Sequence, residues 1–229
     1  MKSVAIITGT LNPYIKNSGS RIENVKTPYG SVKLCWSDDF LVLPRHGMEK
    51  NIPPHMIEHR ANITALAEMG VERIVAFYSV GSLKRSLGPG EILMVDDYIN
   101  LGEIPTFFNK EIRHITPSLQ SAFRDEIISL IANIGIPHRG QGIYIRTRGP
   151  RLETRAEISM LSQFGDVVGM TMCGEATLAR EKEIEFCPIC FIDNYCNGVV
   201  DEEISFEKIR NQANRNRQIA ARIIKEIFK

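Results

Sequence analysis

The sequence predicts a single α/β domain spanning residues 1–229. Three observations carry this. Short apolar runs of strand length stand at residues 4–7, 73–80 and 186–192, each ending in turn-forming Gly, Thr, Ser or Asp-Asn residues. Longer segments between them repeat apolar residues at helical spacing. The length suits one large core better than two small ones.

Bulk properties narrow the partners. Hydrophobic content of 43% and charged content of 24% are ordinary for a soluble globular chain. A formal net charge of +1 argues against a nucleic acid or an anionic membrane surface. The opening MKSVAIITGT holds too short an apolar run for a signal peptide or a spanning helix. The five cysteines are an odd number, without the density of a disulfide scaffold. Reduced thiols and a cytoplasmic location are therefore expected.

In chain order, residues 4–7 form the first strand. It stops at Thr8-Gly9-Thr10, a turn suited to presenting N–H groups and a hydroxyl to an anion. Residues 31–36 and 40–44 read as strands joined by an Asp38-Asp39 turn, and the second delivers Arg45-His46-Gly47. Arginine offers a planar fork of donors suited to phosphate, and protonated histidine donates from either nitrogen. Pro53-Pro54 precedes a predicted helix over residues 55–69, with His55 at its start and Ile57, Ala61, Ala65 and Met69 on its buried face. Residues 73–80 form a strand leading into Gly81-Ser82-Leu83. After the turn Leu87-Gly88-Pro89-Gly90, residues 92–99 read as one strand and residues 101–117 as loop. A helix over residues 118–135 carries Phe123, Ile127, Leu130, Ile131 and Ile134 as its stripe, and residues 141–145 form the next strand.

The most informative stretch is RGPRLETRAEISMLSQFGDVVGMTMCGE, residues 148–175. Gly149-Pro150 is a turn pair. Thr154 to Glu157 reads as a capping box opening a helix. Val167 to Met170 is a short strand ending in Thr171. A helix start with free N–H donors beside a strand end makes a small-molecule site. A helix over residues 175–183 and a buried strand over residues 186–192 follow. That strand contains Cys187-Pro188-Ile189-Cys190. A redox CxxC should open a helix and a zinc site needs a second ligand pair, so core packing is the expected role. Asp193-Asn194-Tyr195-Cys196-Asn197-Gly198 ends the strand, and a long helix runs from Ser205 with Ala220, Ile223, Ile224, Ile227 and Phe228 buried. Arg146, Arg148, Arg151 and Arg155 read as a solvated basic face.

GPRLETRAE followed by GMT-x-x-x-E-x-x-LARE resembles the trimeric purine nucleoside phosphorylase and methylthioadenosine phosphorylase family. RHG at residues 45–47, IPPH at 52–55, RANI at 60–63, GSL at 81–83 and DNY at 193–195 extend the match over most of the chain. The resemblance implies a three-layer α/β fold whose mixed central sheet is partly curled into a barrel, and a homotrimer. It implies phosphorolysis of a purine nucleoside, with phosphate as co-substrate and neither metal nor organic cofactor. Phosphate would attack C1′ as the purine leaves, through an oxocarbenium-like transition state. Thr10, Arg45, His46, Ser79 and Thr171 form the implied phosphate set, because preorganised donors aimed at developing charge are usually the largest catalytic term. Met170 would wall the ribose or fill the core, Leu152 would line the nucleoside, and His55 would approach the ribose of a site completed across a subunit boundary. His114 falls near the place of another such histidine, with a poor local match. Thr8 and Leu11 stand where the family usually has glycines. Tyr78 stands where a small hydroxyl or amide residue is usual, so either the local contacts differ or its ring points into the core.

Base choice follows from hydrogen-bond chemistry. A 6-oxopurine donates at N1 and accepts at O6, and a 6-aminopurine reverses both. Ionised Glu153 only accepts, which matches N1–H. Asn194 donates to O6 while its oxygen accepts the proton at N7. Cys196 replaces the second aspartate of the adenine-specific branch. At the 5′ position, Phe206 and Ile209 would form an apolar pocket unless they are core. A buried hydroxyl left unpaired there costs about 1–3 kcal/mol, which favours methylthio. The expected reaction is 5′-methylthioinosine plus phosphate to hypoxanthine and 5-methylthioribose 1-phosphate. The alternatives are an inosine or guanosine phosphorylase, and a purine-nucleoside-binding protein without catalysis.

Overall fold

The computed structural model describes residues 3–11, 21–37, 40–49 and 51–229. The expected Asp38-Asp39 turn lies outside them. The elements are β1 (Val4–Thr8), β2 (Arg21–Thr27), β3 (Gly30–Ser37), β4 (Phe40–Pro44), α1 (His59–Glu68), β5 (Arg73–Ser82), β6 (Ile92–Leu93), β7 (Asp97–Asn100), α2 (Ala122–Asn133), β8 (Ile143–Arg146), α3 (Arg155–Leu161), β9 (Val167–Gly169), α4 (Met172–Glu181), β10 (Glu185–Tyr195) and α5 (Phe206–Ile227).

The ten strands form one mixed sheet. β1, β4, β5 and β10 run parallel, while β2–β3, β3–β4, β5–β9 and β6–β10 are antiparallel. The pairings β10–β5–β9–β8–β7 lead back, through residues 94–96, to β6 and so to β10. The sheet therefore curls back on itself around β5, as the partial barrel required.

Alternation along the strands makes the layers. Ile74, Ala76 and Tyr78 of β5 join one core with α1 and α4, and Val75 and Phe77 join the other with α2 and α5. Both faces are covered, which is why these strands read as continuous apolar runs. β10 is built the same way: Cys190 faces the first core and Cys187 the second. The CxxC thus straddles the sheet. All five cysteines are buried and free. Burial pushes the Cys187 thiol up to about 12.

Four local expectations need correction. The strand predicted over residues 92–99 is two strands, because the Arg124 guanidinium takes the carbonyls of Met94 and Val95 at 2.8 and 3.1 Å in place of a ladder. The helix expected from residue 55 starts at His59; Pro53 leads into a 3₁₀ turn at Pro54–Met56, and Glu58 caps the helix proper. α4 begins at Met172, not at Glu175. β2 was not anticipated, since RIENVKT carries few apolar residues; it is an edge strand whose charges suit that place. The capping box of α3 is as expected, with Thr154 and Glu157 bonding reciprocally.

Candidate active site

Strand ends converge on one cavity of about 240 Å³. The turn after β1 brings Thr10, and the turn after β4 brings Arg45 and His46. The C-terminal part of β5 brings residues 78–81, and β10 brings Asn194. β9 runs antiparallel to β5, so Met170 and Thr171 return alongside Ser79. The loop before α3 supplies Leu152 and Glu153, and the start of α5 supplies Phe206 and Ile209. Crevices at the carboxyl ends of parallel strands are where open α/β sheets bind ligands.

His55, expected to approach a site completed across a subunit boundary, stands apart from the other predicted residues in this chain. It is exposed and does not line this cavity; Pro54 does. His114 is exposed as well. Thr8 and Leu11 are both buried and neither lines the cavity, Leu11 lying within the α2–α5 core. Ile204, Val168 and Cys196 also line the cavity and were not in the predicted set. Ile204 and Val168 read as core when neighbours are unknown, whereas Cys196 stands where the adenine-specific branch has its second aspartate.

Close approach demands glycine at two points. A Cβ on Gly9 would lie 2.7 Å from Arg45 Nη1, and one on Gly149 would lie 2.4 Å from Met170 Sδ. Gly149 also has φ +68°, a region that glycine enters freely.

Arg45 is 3% exposed, and its fork is not open. Nε and Nη2 donate to Glu175 Oε1 and Oε2 at 2.7 and 2.9 Å, and Nη1 donates to the Phe77 carbonyl at 2.7 Å. Burial, the largest influence, would lower the guanidinium pKa; the charge and hydrogen bonds of Glu175 together with the neighbouring Tyr78 and Tyr144 reverse this and raise it. Glu175 in turn would be raised by burial, and Arg45 holds it low. The Tyr78 hydroxyl donates to Glu175 Oε2 at 2.5 Å. Tyr78 itself is 2% exposed, so its ring does point into the core.

Elsewhere the donors are oriented by the fold. His46 Nδ1 lies 2.8 Å from the Ile52 carbonyl, which requires the proton on Nδ1. Ser79 Oγ donates to Asp193, and Asn216 Nδ2 donates to the same carboxylate at 2.7 Å. Burial pushes Asp193 up to about 6 against those two hydrogen bonds. Thr171 is the N-cap of α4 without a side-chain cap bond, so the helix start faces the cavity there. Glu153 is 9% exposed and accepts from Thr147 Oγ1 at 2.5 Å. Asn194 Nδ2 donates to the Tyr195 carbonyl at 2.7 Å. Phe206 is 70% exposed, which removes the reading of it as core.

The arginine cluster divides. Arg148, Arg151 and Arg155 are exposed, as a solvated face requires, but Arg146 is half-buried and donates to the carbonyls of Met170 and Glu103 and to Asn100. Among the described residues no group of three His, Cys, Asp or Glu side chains is placed to hold a metal ion. No helix among them is long and apolar enough to cross a membrane.

Residues 4–229 match the family model of the phosphorylase superfamily. A probable 6-oxopurine nucleoside phosphorylase of Archaeoglobus fulgidus is 35% identical over 210 residues, 90% of this chain and 86% of that protein. A probable S-methyl-5′-thioinosine phosphorylase of Methanocaldococcus jannaschii is 39% identical over 210 residues, 86% of this chain and 82% of that protein. The fold matches a methylthioadenosine phosphorylase from Schistosoma mansoni in complex with adenine, with a TM-score of 0.84 and 25% identity over 99% of this chain and 90% of that one.

Proposed function

The chain belongs to the phosphorylase superfamily, and from that premise we propose that it is a pentosyltransferase that phosphorolyses a 6-oxopurine nucleoside, with 5′-methylthioinosine preferred. The observation that carries this reading is the placing of Glu153 and Asn194 in the same cavity as Arg45, His46, Ser79 and Thr171. The first pair suits a 6-oxopurine and the second group suits phosphate.

Phosphate would sit among Thr10, Arg45, His46, Ser79 and Thr171. An oxygen of hydrogen phosphate attacks C1′ as the C1′–N9 bond breaks, and the proton that this phosphate loses to solvent balances the one that solvent delivers to N7 of the leaving purine. Glu153 accepts from N1–H. Asn194 donates to O6 and accepts from N7–H, and its remaining amide N–H stays on the Tyr195 carbonyl. Sites built on such polar matches discriminate by about 10⁴–10⁵ against analogues that leave them unpaired. An aminopurine would set its N1 lone pair against the carboxylate. Met170 and Leu152 flank the ribose, and Phe206, Ile209 and Ile204 make the 5′ end apolar, which supports methylthio over hydroxyl.

We also infer that the whole chain works as one catalytic unit within a homotrimer in the cytoplasm. Exposed apolar side chains such as Met56 at 65% and Ile112 at 96% support subunit contacts. Buried free thiols fit a reducing compartment.

The test is incubation with 5′-methylthioinosine, inosine and 5′-methylthioadenosine, with and without phosphate, measuring free base. Phosphate-dependent hypoxanthine release, fastest from methylthioinosine, is expected. Faster release from inosine would overturn the 5′ preference, adenine release would overturn the base assignment, and no release would leave a binding protein.

A further inference from the structure

Resting on the phosphorolysis reading, we propose that Tyr78 and Glu175 are positioning residues for Arg45, and that together they set the affinity of the site for phosphate. The guanidinium is held from three directions. Its edge is forked onto Glu175, at 2.7 and 2.9 Å. Its Nη1 corner is tied to the Phe77 carbonyl at 2.7 Å. Its face lies on the Tyr78 ring, with Cζ 4.3 Å from the ring centroid. Tyr78 closes the loop by donating its hydroxyl to Glu175 Oε2 at 2.5 Å. Ring and hydroxyl thus act on the same cation, one directly and one through the carboxylate.

This arrangement answers what a tyrosine does at a strand position facing a phosphate subsite. The side chain is 2% exposed and lies in the core beside Tyr144, ring centroids 6.1 Å apart. Its contribution is to hold Glu175. A carboxylate at 0% exposure with one cationic partner leaves lone pairs to satisfy, and the phenol takes one of them. His59 does not take that place: its Nδ1 is 3.7 Å from Glu175 Oε1, without a hydrogen bond, and burial lowers its pKa, favouring the neutral ring. The socket leaves two of the five guanidinium N–H bonds uncommitted to Glu175 and Phe77, and it aims them by fixing the plane. Preorganised donors lose less on binding than donors that must first be ordered.

The variant Tyr78→Phe keeps the ring on Arg45 and removes only the hydroxyl. The expected result is a rise of about 3- to 10-fold in KM for phosphate, the range for losing one charge-assisted hydrogen bond in part. KM for the nucleoside should stay within about 2-fold. The rise in melting temperature on adding inorganic phosphate alone should shrink in parallel, as linkage requires of weaker binding. Glu175→Gln, which removes one of the two anchors and the charge, should shift phosphate KM further in the same direction. An unchanged phosphate KM in Tyr78→Phe, or an equal rise in both KM values, would overturn the proposal. Tighter phosphate binding in Glu175→Gln would do so too, since it would mean that Glu175 only opposes the ligand. If the wild-type protein releases no base with phosphate, the phosphorolysis reading fails instead. The phosphate-dependent melting shift then still tests the socket.

Discussion

At the end of the cavity proposed for phosphate, Arg45 and Glu175 are buried and bound, at 3% and 0% exposure, whereas at the end proposed for the 5′ group Phe206 is 70% exposed. The first is built from strand ends and braced through both the sheet and α4. The second is built from the first turn of α5 and the loop before it. Charge recognition needs fixed geometry, because a buried ion is costly unless its partners are held in place. Recognition of a small apolar group needs only a surface of suitable shape, and an exposed helix start supplies it. The phosphate end should therefore be intolerant of change, and the 5′ end adjustable.

The largest effect should come from Arg45→Met. It removes donors from the phosphate subsite, an expected loss of about 10³-fold in kcat/KM for phosphate. It also leaves Glu175 as an unpaired buried carboxylate, which costs about 3–5 kcal/mol of stability and should show in urea denaturation. A variant that unfolds at the wild-type urea concentration would contradict the contrast between the two ends. Next is Glu153→Gln. Replacing an acceptor pair by an amide should lower kcat/KM for the 6-oxopurine nucleoside about 10- to 100-fold, with little change in phosphate KM. Smaller again is Phe206→Ala. It should reduce the ratio of methylthioinosine to inosine turnover about 10-fold, the range of a methylene-sized apolar contact, with no loss of stability. A large loss of stability instead would mean that the 5′ end is as rigid as the other.

A further prediction sharpens the comparison through pH. Burial raises Asp193 from 3.8 to about 6 in the folded chain. Between those values the folded state binds more protons at this site than the unfolded state, so this group makes stability fall as pH rises from about 4 to 6. In Asp193→Asn that part of the slope should vanish. Melting temperatures of both proteins across pH 4–7 measure it; identical slopes would show that Ser79 and Asn216 fully compensate the burial.

Much of this was legible in the sequence because it depends on local rules. The Thr154–Glu157 capping box, the Gly149 turn and the apolar runs of β1, β5 and β10 need only neighbouring residues to be recognised. Helical and strand spacing placed most elements, and the ordered string from Gly149 to Glu181 carried the family. The predicted site residues other than His55 do converge on one cavity. They could be chosen in advance chiefly through the family resemblance, since Ser79 and Asn194 lie inside β5 and β10, where no local rule singles them out.

Tertiary structure alone decided the rest, since those features depend on partners far apart in the chain. Glu175 is read from the sequence as a motif residue at the start of a helix with no role assigned, and it is the carboxylate 130 residues from Arg45 that takes its fork. Tyr78 left two readings open, and the packing of β5 against α4 chose the buried one. Met94 and Val95 left the ladder because Arg124, 30 and 29 residues away, offered their carbonyls a better partner. Propensity and periodicity act over a few residues and so determine the elements. Burial of a charge must be balanced by whatever the fold brings beside it, and no local pattern records that neighbour.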